Sequence, residues 1–423
     1  MNNINKLYVN DTKESSIVFN MMLVLIGFAF FNLRGYGYYI LLAAYAVFFL
    51  WMTMANVKLK INEELGVLCA AFFLYALIYG LYYKFSVYSF FTNSLILPVL
   101  SYVVGYHIIL DAKKPYINEK TICLLIGLIV LALFLHGSVS IFSTPEKDLE
   151  KRLINDIVIG KKGLTATNTA GYLNLMAAML FYGSFMQKNL AKKIVIIMLS
   201  VTAAYCGLLS ATRTPVIMFV LVFFICLICK ILIDKAERKT NVKILFITLA
   251  VIAIAAALYN ANAFKMKDNY EQTSMYKRLN ETDIGTKSSD NTRRARYGEV
   301  FISIFENPMG MYSEKHEYAH NLWLDMGRLT GVAPFFLMVI FSVMSLMNFL
   351  RFFFHIKAKP PTKYLMLSAY TVVFLNMFTE PIMEGLPFLC WIYTLLSGML
   401  KSCLDNFDSE EENTDLALLR KSD

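Results

Sequence analysis

The feature that most constrains this chain is a series of apolar blocks, each close to 20 residues long. An α-helix rises about 1.5 Å per residue, so a block of about 20 residues spans a hydrocarbon core of about 30 Å. Charged residues make up only 17% of the chain, whereas soluble domains contain about 25%. The blocks therefore predict an all-α polytopic membrane protein with about 12 transmembrane helices.

The predicted transmembrane helices are 15–31, 36–54, 65–83, 88–110, 121–141, 168–186, 193–210, 215–233, 243–260, 332–350, 363–380 and 387–402. The first block follows Asn and Lys residues and has no small-residue cleavage site, which predicts a retained helix rather than a signal peptide. The seven cysteines lie in these helices or near their cytoplasmic ends. Cys226 and Cys229 form a CxxC inside an apolar run without a second pair, which favours helix packing over a metal or redox site.

Lys and Arg concentrate in alternate loops, and such loops stay in the cytoplasm. The short loops of the other set hold only Arg34, Lys84 and Arg213. Both termini are therefore expected in the cytoplasm. The net charge of +9 is explained by this topology, and no basic cluster of the kind that binds nucleic acid is present.

The predicted organisation has four parts. Residues 1–260 carry nine transmembrane helices with an external loop at 138–167, residues 261–331 form a large external loop, residues 332–402 carry three more helices, and residues 403–423 form a disordered cytoplasmic tail. The two external loops are the predicted functional regions.

The large loop shows helical patterns of its own. Arg, Glu, Tyr and Phe recur through 293–305 as in an amphipathic helix, and Asn307 to Gly310 end it. Asn321, Asp325 and Arg328 then share one face of a predicted short interfacial helix before the chain re-enters lipid at Val332.

Arg213 is the sharpest local anomaly, because it lies in a turn of a few residues between two apolar helices. Charged groups at such depth usually line a cavity or bind a partner. Thr214 is expected to cap the next helix and Pro215 to occupy its first position, so a diphosphate would find both a guanidinium and a helix N-terminus there. An arginine that extends to the lipid headgroups fits the sequence equally well.

Three more arginines, Arg293, Arg294 and Arg296, form a second basic cluster. A planar guanidinium group can donate two parallel hydrogen bonds to two oxygens of one phosphate. The alternative is a solvated face on which these arginines pair with Glu299 or Asp290.

His320 is the predicted external histidine that best suits catalysis, because it immediately precedes the predicted interfacial helix and is expected to lie near Arg213. A neutral imidazole takes a proton from a hydroxyl near neutral pH. A structural or solvated loop histidine is the simpler alternative.

These motifs together resemble the superfamily of O-antigen polymerases and O-antigen ligases. The resemblance lies in Thr165 to Gly171, Leu208 to Thr214 and, above all, Arg293 to Gly331, where an Arg four residues before an aromatic is followed by an Asn-Pro turn and a His-Asn pair. It covers roughly 160–350 and the helix count. Thr214-Pro215 departs from the family, which usually shows Gly soon after the arginine corresponding to Arg213.

The resemblance implies a GT-C type glycosyltransferase of the bacterial inner membrane, which uses undecaprenyl-diphosphate-linked oligosaccharide at the periplasmic face without cofactor or essential metal. By position, Arg213 and Arg293 look like the arginines that meet the lipid diphosphate, and His320 looks like the active-centre histidine. The expected secondary contacts are Arg294, Arg296, Asn168, Asn321 and Glu380, and Glu380 is also an alternative base. Membrane lipids and a chain-length regulator protein are expected partners.

Polymerase and ligase differ in whether the acceptor is another lipid-linked repeat unit or the core sugar of lipid A. The two sizeable external loops favour a polymerase that grips a growing glycan. A flippase or transporter of the same lipid-linked sugars would need polar residues through the middle of several helices, and the sequence shows few.

Overall fold

The computed structural model describes residues 13–82, 95–109, 119–273, 276, 289–310, 319–355 and 360–422. Within these ranges, side chains are described everywhere except at 13–16, 119, 289–295, 355 and 408–422. The architecture is almost entirely helical, as the apolar blocks predicted.

The first half of the chain contains α1 (Lys13–Phe31), α2 (Gly37–Met54), α3 (Glu63–Tyr82), α4 (Leu97–Ile108), α5 (Glu119–Phe142), α6 (Glu146–Glu150), β1 (Leu153–Asp156), β2 (Lys161–Thr165), α7 (Ala166–Asn174), α8 (Met176–Phe185) and α9 (Leu190–Leu209). The second half contains α10 (Arg213–Ile233), α11 (Arg238–Asn260), α12 (Met266–Glu271), α13 (Ser289–Glu306), α14 (Leu322–Thr330), α15 (Val332–His355), α16 (Pro360–Thr379), α17 (Ile382–Gly385) and α18 (Pro387–Ser422).

Eight helices in the described part of the chain are long and apolar enough to cross a membrane. They are α2, α3, α5, α9, α10, α11, α15 and α18. The chain is thus an all-α polytopic membrane protein in its broad architecture. Each of the other four predicted segments is at least partly helical. The total of twelve crossings and the external position of the large loop stay predictions.

Two local features differ from the sequence prediction. The loop 138–167, which the sequence predicts to be external, contains an antiparallel hairpin in which Leu153 pairs with Thr165 and Asp156 with Lys161. Its turn uses Gly160, whose φ of 80° suits a residue without a side chain. The tail predicted to be disordered continues α18 as helix to Ser422, so position 402 is not a helix boundary.

The chain divides into two compact units. The first unit comprises Met1–Ala132, Arg293–Met366 and Val373–Asp423, and the second comprises Leu133–Thr292 and Leu367–Val372. In the first unit, α4 and α18 approach so closely that a Cβ on Gly105 would lie 2.1 Å from the Leu395 carbonyl oxygen, and a Cβ on Gly398 would lie 2.2 Å from that of Tyr102. Glycine allows this backbone contact, as in other membrane helix pairs.

In the second unit, α8, α9, α10 and α11 pack in sequence, and the hairpin lies beside α7. Gly183 of α8 lies against Ile196 of α9, where a Cβ would approach the Ile196 side chain to 2.6 Å. Most apolar residues of α11 are exposed in the structure, including Phe246 and Val251. Such exposure is normal for a helix whose surroundings are lipid.

Candidate functional site

His320 lies immediately before α14 in the first unit, and its backbone is left-handed, with φ of 55°. Its side chain is half-buried. Asn321 follows as the N-cap of α14, and its Oδ1 accepts a hydrogen bond of 3.1 Å from the amide of Leu324. Asn321 is thereby a capping residue, and the predicted short helix before Val332 is confirmed.

Asp325 holds the backbone on both sides of His320. One carboxylate oxygen accepts the amide hydrogen of Ala319 at 2.7 Å, and the other accepts that of Asn321 at 3.2 Å. The Asp325 side chain is 1% exposed. A carboxylate that accepts backbone N–H groups in this way satisfies donors that would otherwise be unpaired at a helix start.

Arg328 lies one turn along α14 and completes an ionic cluster. Its Nη2 donates to Glu384 Oε2 at 2.6 Å, and its Nε lies 3.6 Å from Asp325 Oδ1. Burial raises the pKa of Asp325 and of Glu384, while the Arg328 charge opposes the rise in both. The positive charge therefore stabilises the ionised forms of two carboxyls that burial disfavours.

The body of α14 is fixed by close packing. Trp323 donates from Nε1 to Ser342 Oγ of α15 at 2.9 Å. Gly327 lies against Ile304 of α13, where a Cβ would approach the Ile304 side chain to 2.5 Å. The amide of Val332 donates to the Pro308 carbonyl at 3.0 Å. The prediction that 307–310 ends the preceding helix is confirmed, and this turn packs against the C-terminal end of α14.

Arg213 is the first residue of α10 in the second unit. The preceding turn is tight, because Ala211 is left-handed with φ of 49° and Thr212 donates from its amide to the Gly207 carbonyl at 3.0 Å. Thr212, not Thr214, is the N-cap, so the predicted cap is shifted by two residues. The left-handed backbone of Ala211 turns the chain before Thr212, so the next helix begins at Arg213.

The Arg213 side chain is half-buried. Among the residues that the structure describes, it forms no ion pair, and its Nε has no hydrogen-bond partner. It lies at a helix N-terminus, where backbone N–H groups favour an anion. The arrangement is chemically suited to meeting a phosphate group.

A buried His–Asp pair, which the sequence did not predict, ties the hairpin of the second unit to α5. His136 Nε2 lies 2.7 Å from Asp156 Oδ2, and the two side chains are 0% and 1% exposed. Ser140 and the Ile159 amide donate to Asp156 Oδ1 at 3.1 and 3.0 Å. Burial favours a higher pKa for Asp156, but the hydrogen bonds and the His136 ring outweigh it, so the pKa lies below its usual range.

The other predicted site residues are distributed as follows. Arg293 and Arg294 lie in α13, and their side chains are outside the described residues. Arg296 of α13 and Asn168, in the first turn of α7, are half-buried. Glu380 follows α16 and is 1% exposed. Its contact with a substrate stays a prediction. Arg213 and His320 belong to different units, and their predicted proximity also stays a prediction.

Glu384 is the site residue that sequence reasoning missed. It is the one charged residue between Pro381 and Pro387, and this isolation is the signal that could have indicated a partner. Its partner lies 56 positions away in sequence, a distance over which no periodicity is informative. Among the described residues, no group of three or more His, Cys, Asp or Glu side chains is arranged to hold a metal ion.

No protein-family model matches the chain, and no curated protein matches it. The resemblance to O-antigen polymerases and ligases therefore stays a prediction from the motif residues.

Proposed function

We propose that this chain is a glycosyltransferase that joins oligosaccharide units carried on undecaprenyl diphosphate, at the periplasmic face of the bacterial inner membrane. The hydroxyl oxygen of the acceptor sugar attacks the anomeric carbon of the donor, and the bond from that carbon to the diphosphate oxygen breaks. The lipid diphosphate leaves with the electron pair, and the anomeric configuration inverts. His320 takes the proton of the attacking hydroxyl.

The backbone at His320 is the observation that carries the proposal. A left-handed conformation costs a residue with a side chain about 1 kcal/mol or more, and here it is held by hydrogen bonds from Ala319 and Asn321 to one carboxylate. Such strain is common where a side chain must have a fixed direction for catalysis. A solvated loop histidine would need neither the strain nor the buried acid.

Arg213 supplies the second element of the proposal. Its guanidinium is not engaged in an ion pair within the described part of the chain. Negative charge that builds on a leaving diphosphate is best met by donors already in position. Arg293 would share this charge, and Arg294, Arg296, Asn168, Asn321 and Glu380 would be secondary contacts to the substrates.

The surface beside α14 supports a site at the membrane boundary. Phe301 and Phe305 on α13 are about half exposed, as is Phe336 at the start of α15. The Phe305 and Phe336 rings lie 6.2 Å apart, so the apolar surface of α13 continues onto a helix long enough to span a membrane. A polyprenyl donor is a substrate that approaches from such a surface.

The acceptor separates a polymerase from a ligase. We favour the polymerase, with another lipid-linked unit as acceptor, because two external loops of the predicted size suit the binding of a growing glycan. A ligase that transfers the glycan to lipid A core is the alternative, and a transporter of lipid-linked sugars is the third candidate.

Reconstitution tests the proposal. Purified protein in proteoliposomes with undecaprenyl-diphosphate-linked oligosaccharide should yield longer lipid-linked glycans and free undecaprenyl diphosphate, without nucleotide sugar. Product that appears only after addition of lipid A core would indicate the ligase. Movement of intact donor across the bilayer, with no new glycosidic bond, would contradict the glycosyltransferase proposal and favour the transporter.

The lipopolysaccharide of cells that lack the protein gives an independent test. Core that carries one repeat unit is expected for the loss of a polymerase, whereas core without any repeat unit indicates the ligase. For the topology, a periplasmic reporter fused after Lys287 should be active and one fused after Lys239 inactive.

A further inference from the structure

Asp325 and His320 are linked through the backbone rather than through their side chains. The two oxygens of Asp325 bind the amides of Ala319 and Asn321, at 2.7 and 3.2 Å, and these residues flank His320 directly. The carboxylate therefore constrains the backbone on either side of the imidazole. Because φ of His320 is 55°, the direction of its side chain depends on that constraint.

We infer that Asp325 is a positioning residue that holds the imidazole of His320 in the direction needed for proton transfer. Arg328 holds the Asp325 carboxylate in place, and Glu384 in turn holds Arg328. This inference rests on the proposed role of His320 as the base. Asp325 is 1% exposed, so its own contact with a sugar is not required. It acts on the reaction through the backbone at 319–321.

The ionic cluster explains why a carboxylate can do this in a buried place. An isolated buried carboxylate would be protonated or would destabilise the fold. Here, two backbone amides and the Arg328 guanidinium face Asp325, and the second partner of Arg328, Glu384, fixes the guanidinium at 2.6 Å. The cluster therefore holds the Asp325 carboxylate oriented toward the backbone amides on either side of His320.

The decisive variant is Asp325→Asn, which keeps the side-chain shape but offers one acceptor oxygen and one NH₂ group. Whichever way the amide is turned, one of the two backbone N–H groups faces a donor. We expect turnover to fall about 10²-fold, as for a misplacement of about 1 Å at a reacting group. The affinity for the donor should stay unchanged, because the proposed diphosphate ligands are elsewhere.

A double-mutant cycle separates positioning from general damage. In His320→Asn the base is absent, so adding Asp325→Asn should slow the enzyme no further if Asp325 acts through His320. Radiolabelled donor extends the measurable range enough to detect another 100-fold loss. The inference would be overturned if the decreases in turnover of the two single variants multiplied in the double variant. Full activity of Asp325→Asn would also overturn it.

Asp156→Asn is the matched control. Asp156 is equally buried and also accepts a backbone amide, that of Ile159, but it lies in the hairpin of the second unit. Its substitution should lower activity only in proportion to the folded protein lost. An activity loss per folded molecule equal to that of Asp325→Asn would count against a specific role for Asp325.

Amide hydrogen exchange on the wild type provides a test that does not depend on a variant folding. The amides of Ala319 and Asn321 should exchange much more slowly than those of an unstructured peptide, and exchange at the unstructured rate would overturn the inference. A different result is expected if His320 is not the base, because His320→Asn alone would then retain normal turnover.

Discussion

The guanidinium of Arg328 donates from Nη2 to Oε2 of Glu384 over 2.6 Å, joining α14, the helix that follows His320, to the short helix α17. Arg328 also lies beside Asp325, with 3.6 Å between Nε and Oδ1. One cation therefore stabilises two acids, one of which holds the backbone at the candidate base.

The two partners of Arg328 should respond differently to substitution. Arg328→Met leaves Asp325, which is 1% exposed, without its counter-charge, and we expect a loss of about 3 kcal/mol. Glu384→Gln keeps a hydrogen-bond acceptor at a side chain that is 22% exposed, so a loss of about 1 kcal/mol is expected. Melting temperatures in detergent measure the difference. Equal losses, or a larger loss for Glu384→Gln, would show that the cluster does not depend on Arg328.

Gly331 should not tolerate a side chain. Its φ is 86°, and a Cβ would lie 2.0 Å from the Pro308 carbonyl oxygen. Gly331→Ala is therefore expected to cost about 3 kcal/mol or more through strain and overlap. Gly298→Ala is the control, because nothing lies within 4 Å of its Cβ position in helix α13 and alanine should stabilise a helix there by about 0.5–1 kcal/mol. Thermal unfolding of both variants tests the packing of the 307–310 turn on α14.

The Asp156 contribution to stability should survive mild acid. The pKa of Asp156 is below its usual range, since the hydrogen bonds and the His136 ring outweigh burial. A depressed folded-state pKa gives stability that is present above the unfolded pKa of about 3.9 and is lost as the pH falls through the folded value. The stability difference between wild type and Asp156→Asn should thus not shrink from pH 7 to about pH 4, and should shrink only at lower pH. A difference that disappears by pH 5 would contradict the assignment.

Arg213 should need its guanidinium shape as well as its charge. Arg213→Ala and Arg213→Lys are both expected to lose most donor binding while the protein reaches the membrane normally, because lysine lacks the planar pair of donors. Arg34→Ala is the control, since Arg34 is exposed in a turn on the same predicted side. Donor affinity in detergent measures the effect. Full binding by Arg213→Ala would dismiss the diphosphate role, and full binding by Arg213→Lys would show that a point charge is enough.

Local signals predicted more of this fold than of its site. Apolar blocks, the Asn307–Gly310 turn and the helix before Val332 follow from short-range patterns, and the structure confirms them. The capping shift at Thr212 escaped prediction because it follows from the left-handed backbone of Ala211. The helical tail escaped because acidic residues near Asp405 suggested disorder, whereas α18 continues through it.

The site itself depended on long-range pairing. The sequence predicted that Asp325 and Arg328 share one helical face. It did not predict Glu384 as the partner of Arg328, because the two residues are 56 positions apart in sequence. The pairing of His136 with Asp156 depends on the hairpin, and no alternating pattern in the sequence predicted that hairpin. Contacts of this kind arise from tertiary packing rather than from local propensity.

His320→Asn tests whether His320 takes the proton of the attacking hydroxyl. Asparagine tolerates the left-handed backbone, so this variant removes the imidazole with little added strain. His320→Ala would remove the imidazole and also add backbone strain. Turnover, donor affinity and melting temperature would be measured on the same purified preparation. We expect turnover to fall by about 10²–10⁴-fold, with donor affinity and melting temperature retained. Turnover close to that of the wild type would show that His320 is not the base.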